Sequence, residues 1–149
     1  MTSAGVPAAP MRVLFVCTHN SARSVMAEVL LRSLGGERFA AFSAGVEPGG
    51  IRPLTLRVLQ EAGLPTDGLR SEGVAAYLGQ PFDHVITVCD NAREACPVFP
   101  GGGERHHWSN EDPSAATGTD EERLVVFRRV LAAIRGDVER FIVATAAPA

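Results

Sequence analysis

Val13-Leu14-Phe15-Val16-Cys17-Thr18-His19-Asn20-Ser21-Ala22-Arg23-Ser24 is the stretch on which the fold turns. Its first four residues are an unbroken apolar run, so residues 12–16 are expected to form a buried strand. Val25-Met26-Ala27-Glu28-Val29-Leu30-Leu31 follows, and Met26, Val29, Leu30 and Leu34 recur at helical spacing. A helix from about Ser24 to Leu34 is expected, stopped by Gly35-Gly36. A cysteine therefore ends a strand, and an arginine six residues later opens a helix. The loop between them is short and polar, so its N–H groups can converge as an anion nest. The helix N-terminus adds donors and partial positive charge. The same field favours the thiolate of Cys17, the nucleophilic form of sulfur. Arg23 can offer a planar fork to two oxygens of a tetrahedral oxyanion.

Outward from this stretch, apolar runs and helical periods alternate. Arg38 to Ser43 reads as a second strand, with a turn at Ala44-Gly45 and a loop at Pro48-Gly49-Gly50. Pro53 opens a helix through Leu54, Val58, Leu59 and Ala62, stopped by Gly63 and Pro65. Ser71 to Leu78 suggests a shorter helix, and Phe82 to Val88 a third strand. Asp90 to Ala95 reads as one or two helical turns limited by Pro97. His106-His107-Trp108 closes a short fourth strand, and residues 109–119 form a polar loop. The last helix, Asp120 to Thr145, carries Leu124, Phe127, Val130, Leu131, Ile134, Val138 and Phe141 on one stripe. This alternation predicts an α/β fold: a single domain built on an open, four-stranded parallel sheet with helices on both faces. In such sheets ligands bind beyond the carboxyl ends of the strands, which places Cys17 and Cys89 on one edge.

A chain of 149 residues suits one domain, taken as residues 11–149, after a loose tail over residues 1–10. The net charge of −3 gives no support for a nucleic-acid surface. No apolar run approaches the roughly eighteen residues of a membrane span, and the first ten residues lack the pattern of a secretory signal. All 14 basic residues are arginine, which excludes a catalytic lysine. Three cysteines, an odd number, argue against a secreted disulfide scaffold and for thiol chemistry in a reducing cytoplasm. Cys89 and Cys96 are seven apart. On a continuous helix that is two turns, about 10 Å. A disulfide needs Cα atoms within about 7 Å, so the pair can close only if the segment bends or unwinds. His84, His106 and His107 match no usual zinc spacing and read as structural or solvent-facing.

The spacing Cys17-x5-Arg23-Ser24, set between strand and helix, resembles the signature of low-molecular-weight tyrosine phosphatases and of the arsenate reductases that share their fold. The segment Cys89-Asp90-Asn91-Ala92-Arg93-Glu94-Ala95-Cys96-Pro97 resembles the redox segment of thioredoxin-coupled arsenate reductases, and the likeness runs from Arg12 to about Phe141. The resemblance implies a cytoplasmic enzyme of arsenic detoxification, acting as a monomer, that reduces arsenate to arsenite. Cys17 attacks arsenate, Cys89 attacks Cys17, Cys96 attacks Cys89, and thioredoxin reduces the resulting pair. It makes Asp112, in Asp112-Pro113, the acid that protonates the leaving oxygen, ahead of the neighbouring Glu111. Thr18, His19, Asn20, Ser21, Ala22, Arg23 and Ser24 form the oxyanion loop, with phosphate or sulfate as analogues of arsenate. Asn20 shapes that loop, and the Ser21 and Ser24 hydroxyls support the Cys17 sulfur. No tightly bound cofactor is implied, beyond a potassium site in some relatives that maps onto Asn20, Glu28, Ser43 and Glu72. Glu72 departs from the aspartate of those relatives, and His19 from a frequent glycine.

The competing reading is a phosphotyrosine-type phosphatase using Cys17, Arg23 and Asp112. Such enzymes tend to carry aromatic residues at the pocket mouth. Here Ser114-Ala115-Ala116-Thr117-Gly118 follows Asp112-Pro113 and the only tyrosine is Tyr77, which favours a small inorganic substrate. A third reading is a non-enzymatic oxyanion sensor whose thiols report redox state.

Overall fold

The computed structural model describes residues 9–89, 92, 96, 99 and 103–145. Four parallel strands form its sheet: β1 (Met11–Cys17), β2 (Phe39–Gly45), β3 (His84–Thr87) and β4 (Glu104–His107), in the order β2-β1-β3-β4. β1 lies between two neighbours and is covered on both faces, which is why Val13, Leu14, Phe15 and Val16 form a continuous apolar run at 0% exposure. β4 is the edge strand and carries no apolar residue, its Glu104 and Arg105 being exposed.

Three α-helices are described: α1 (Arg23–Gly35), α2 (Pro53–Glu61) and α3 (Asp120–Ala144). α1 ends as the sequence predicts, with Gly36 in the left-handed region at φ 62°. Thr119 starts α3 through a capping box, accepting from the Glu122 N–H while the Glu122 carboxylate accepts from the Thr119 N–H. The predicted stripe of α3, from Leu124 to Phe141, is buried throughout. Each such side chain contributes about 1.5–3 kcal/mol of burial. α1 and α3 pack together and lie on one face of the sheet, where Phe141 meets Phe39, His84 and Trp108. On the other face Phe42 meets Tyr77 and Phe82, and Phe82 meets Phe99.

Three elements differ from expectation. β2 continues through Ala44 and Gly45, where the sequence suggests a turn, because both residues stay paired with Val16 and Cys17 of β1. The helix expected over Ser71–Leu78 is a 3-10 turn over Val74–Tyr77, because Gly73 and Gly79 (φ 85°) leave too few residues between them for an α-helix. The polar loop over residues 109–119 contains a second 3-10 turn, Pro113–Ala115. The helical turns expected over Asp90–Ala95 fall, apart from Ala92, outside the described residues. Among the described residues no helix is long and apolar enough to cross a membrane.

Candidate active site

Because the strands are parallel, the C-terminal ends of β1 and β3 open on the same edge. Cys17 is the last residue of β1 and Ala22 the residue before α1, so the loop of interest spans only the turn between them. Its carbonyls are tied outward. Cys17 O accepts from Val46 N at 3.0 Å, Thr18 O from Glu47 N at 2.7 Å, His19 O from Gly49 N at 2.9 Å and Ser21 O from Arg52 N at 3.1 Å. Thr55 Oγ1 adds a second donor to Ser21 O at 2.8 Å, and Ser71 Oγ one to His19 O at 3.1 Å. In a trans peptide the N–H points opposite to the C=O. Carbonyls held outward by residues 46–55 therefore turn the loop N–H groups inward, which is the nest an oxyanion needs. Asn20 adopts φ 51°, the left-handed conformation that asparagine tolerates better than most residues.

Cys17 is 3% exposed, and two polar groups reach its sulfur. Asn20 N–H reaches it at 3.2 Å. Ser24 Oγ lies 2.8 Å away and itself accepts from Asn20 Nδ2 at 2.7 Å, so its own proton is free to point at the sulfur. Asn20 is in turn held by the Glu72 N–H, donated to Oδ1 at 2.7 Å.

Arg23 is the first residue of α1, and its side chain is 13% exposed. It donates to Asn110 O at 3.0 Å and stands 3.8 Å from Asp112 Oδ1. The N-cap residue Ala22 offers no side-chain acceptor, so the first-turn N–H groups are not spent on a cap. Cys17, Arg23 and Asp112 line one hollow of about 160 Å³, together with His19, Ser21 and Arg52. Asp112 is half-exposed and accepts from the Ser114 N–H at 2.9 Å, which aims its carboxyl from the loop before α3. Glu111, the alternative acid, accepts from Arg129 Nε and Nη2 at 2.6 and 3.0 Å, and that pairing holds its carboxyl below the usual range. A carboxylate held in this way is a poor proton donor.

Cys89 follows β3 by two residues and is 3% exposed. Val88 N donates to Val16 O at 2.9 Å, which continues the β1–β3 register past the strands. The Cys89 sulfur lies 3.3 Å from Thr18 Oγ1, the hydroxyl of the residue next to Cys17. Cys96 is half-buried, and its N–H donates to Ala92 O at 2.9 Å, one helical turn back. Burial pushes its thiol up, while the Arg105 guanidinium, hydrogen-bonded to it, pulls the other way. All three cysteines are free thiols.

The four residues mapped for potassium divide into two linked pairs. Ser43 Oγ donates to Glu28 at 2.5 Å, and Asn20 binds the Glu72 backbone. Arg32 stands 2.7 Å from Glu28, and Arg70 stands 2.6 Å from Glu72. Each carboxylate therefore has a guanidinium beside it. His84 and His106, expected to be structural or solvent-facing, are neighbours across β3 and β4: His84 Nδ1 lies 2.9 Å from His106 Nε2, with Glu104 at 3.6 and 3.7 Å. Both rings pack on Phe141.

Sequence reasoning missed three contributors. Asn110 holds Arg23 through its carbonyl, the residue 46–52 strap turns the loop, and Gly45 permits the loop's approach. A Cβ at Gly45 would lie 2.7 Å from both Asn20 N and His19 C. These are backbone atoms that cannot step aside. Gly45→Ala is expected to destabilise the fold by about 1–3 kcal/mol. It should also weaken phosphate binding at least tenfold, read by thermal melting and calorimetric titration. Unchanged phosphate affinity in a folded variant would show that Gly45 does not set the loop.

A profile of the family "Low molecular weight phosphotyrosine protein phosphatase" matches residues 12–147. The arsenate reductase of Halalkalibacterium halodurans is 40% identical over 118 residues, spanning 79% of this chain and 85% of that protein. A solved structure of an arsenate reductase in the phosphate binding state superposes with a TM-score of 0.74 at 28% identity, covering 91% of this chain and 99% of the other. A thioredoxin-dependent arsenate reductase from Corynebacterium glutamicum superposes with a TM-score of 0.67 at 26% identity, covering 95% of this chain and 63% of that one.

Proposed function

Since the chain belongs to the low-molecular-weight phosphotyrosine protein phosphatase family, we propose that it reduces arsenate to arsenite through three thiols in series. The observation that carries this reading is the Cys89 sulfur, buried 3.3 Å from Thr18 Oγ1 and thus beside the nucleophile. Phosphomonoester hydrolysis through Cys17, Arg23 and Asp112 has no step that uses a second thiol.

The Cys17 thiolate attacks arsenic while the loop N–H groups and Arg23 hold the oxygens, and Asp112 protonates the departing hydroxide to water. The Cys17–arsenate adduct is still As(V). Cys89 then attacks the Cys17 sulfur. The S–As electron pair passes to arsenic, which leaves as arsenite, As(III), and a Cys17–Cys89 disulfide forms. Cys96 attacks Cys89, freeing the Cys17 thiolate and leaving a Cys89–Cys96 disulfide. A thioredoxin dithiol reduces that pair by exchange and becomes a disulfide itself. The likeness to a thioredoxin-dependent arsenate reductase supports this choice of donor. No step needs a metal or an organic cofactor.

The test is arsenate-dependent NADPH oxidation coupled through thioredoxin and thioredoxin reductase. Steady turnover is expected with all four components and none when thioredoxin is omitted. Turnover would also remove the sensor reading. The phosphatase reading keeps one argument: Cys17, Arg23 and Asp112 share one hollow and suffice for phosphomonoester hydrolysis. A slow hydrolysis of p-nitrophenyl phosphate is therefore expected beside the reduction. Phosphate-ester turnover without any arsenate-dependent NADPH consumption would overturn the reductase assignment.

A further inference from the structure

The charge balance of the hollow points beyond the loop. Arg23 contributes one positive charge, with the Asp112 carboxyl 3.8 Å away. A Cys17 thiolate cancels that charge, so the side chains named so far leave no net positive charge to draw in a dianion. One further cation lines the same hollow. Arg52 stands with Cys17, Arg23 and Asp112 around it. It also lines an adjoining, more open hollow of about 420 Å³, with His19, Ser21 and Ile51.

Arg52 differs from the other arginines. Every other described arginine makes a side-chain hydrogen bond, an ion pair or another electrostatic contact, as in Arg57–Glu121, Arg70–Glu72 and Arg128–Glu61. Among the described residues, the Arg52 guanidinium has no such partner, so it can turn to an anion without breaking a bond. Its backbone is fixed, however. The Arg52 N–H donates to Ser21 O at 3.1 Å, and Pro53 begins α2 directly after it. A mobile cationic head is therefore anchored on the oxyanion loop itself.

We propose that Arg52 is a second anion-binding arginine of the site, which captures the arsenate dianion and sets its affinity rather than the rate of the chemical steps. This rests on the Cys17 hollow being the arsenate site. Binding energy that is the same in the ground and transition states acts on KM and leaves kcat alone. A charge-assisted contact to a dianion accounts for about a tenfold effect or more.

The experiment compares Arg52→Ala, Arg52→Lys and the parent protein in coupled arsenate reduction and in calorimetric titration with arsenate. Arg52→Ala is expected to raise KM and the arsenate dissociation constant about tenfold, with kcat within about twofold and the melting temperature unchanged. The dependence of KM on added salt should flatten. Arg52→Lys should recover most of the affinity, because it restores the charge. Equal affinity in Arg52→Ala and the parent would overturn the proposal, as would a fall in kcat at constant KM. If the parent protein binds arsenate but does not reduce it, titration still decides on Arg52 while the reductase reading falls. If the parent binds no arsenate, both fall together.

Discussion

Cys17→Ser is expected to lower both coupled arsenate reduction and p-nitrophenyl phosphate hydrolysis by on the order of 10⁴-fold or more, while phosphate still binds. The argument separates the two jobs of the loop. Holding the oxyanion falls to the backbone N–H groups, whose inward direction is fixed by the Val46, Glu47, Gly49 and Arg52 donors on the outer carbonyls. None of these bonds involves the Cys17 side chain. Attack requires a sulfur anion, and a serine hydroxyl in the same place is un-ionised at neutral pH. The Ser24 hydroxyl and Asn20 N–H that solvate the sulfur remain in place as donors to the new oxygen. Calorimetric titration with phosphate should thus give affinity within about threefold of the parent. Loss of binding along with turnover would place the oxyanion elsewhere. Retained phosphatase activity would remove Cys17 as the nucleophile.

The parts of this site that the sequence revealed are those governed by local rules. An apolar run, a cysteine, five residues and an arginine at a helix start are contiguous, and their meaning depends only on strand and helix periods. The stripe of α3 was legible for the same reason, and all seven of its residues are buried. β4 was legible only in part, because Glu104-Arg105-His106-His107 has no apolar member and pairs as an edge strand through its backbone. The strap over residues 46–52 could not be found from its residue types, since it acts through N–H groups that every residue but proline carries. Gly45 needs the register of β2 against β1 before its closeness to Asn20 can be seen. The contact between His84 and His106 likewise waits on strand order, as 22 residues separate them in the chain. Arg52 was hidden for a different reason: in a chain whose 14 basic residues are all arginine, only the pairing of the others sets it apart.

Cys89→Ser and Cys96→Ser are expected to stop coupled turnover equally, yet at different points. In Cys89→Ser no thiol stands beside Cys17 to take the sulfur from arsenic, so no arsenite is released even in a single turnover. Hydrolysis of p-nitrophenyl phosphate should persist, because Cys17, Arg23 and Asp112 are untouched. In Cys96→Ser the first exchange still runs. One arsenite per protein is expected, followed by arrest with Cys17 and Cys89 joined, read by mass spectrometry as the loss of two hydrogens. Cys96 also carries a pH signature. Burial raises its thiol, with the Arg105 guanidinium offsetting part of that rise, so it is largely protonated at neutral pH. Only its thiolate attacks Cys89, and the thiolate fraction grows about tenfold per pH unit below the thiol's own value. The second exchange, followed by rapid quench after a single turnover, should therefore accelerate as the pH rises from neutrality. Loss of phosphatase activity in Cys89→Ser would make Cys89 part of the nucleophilic centre rather than a relay. Arsenite release at the parent rate in Cys96→Ser, over many cycles, would mean that thioredoxin reaches the Cys17–Cys89 disulfide directly and that Cys96 has no place in the series.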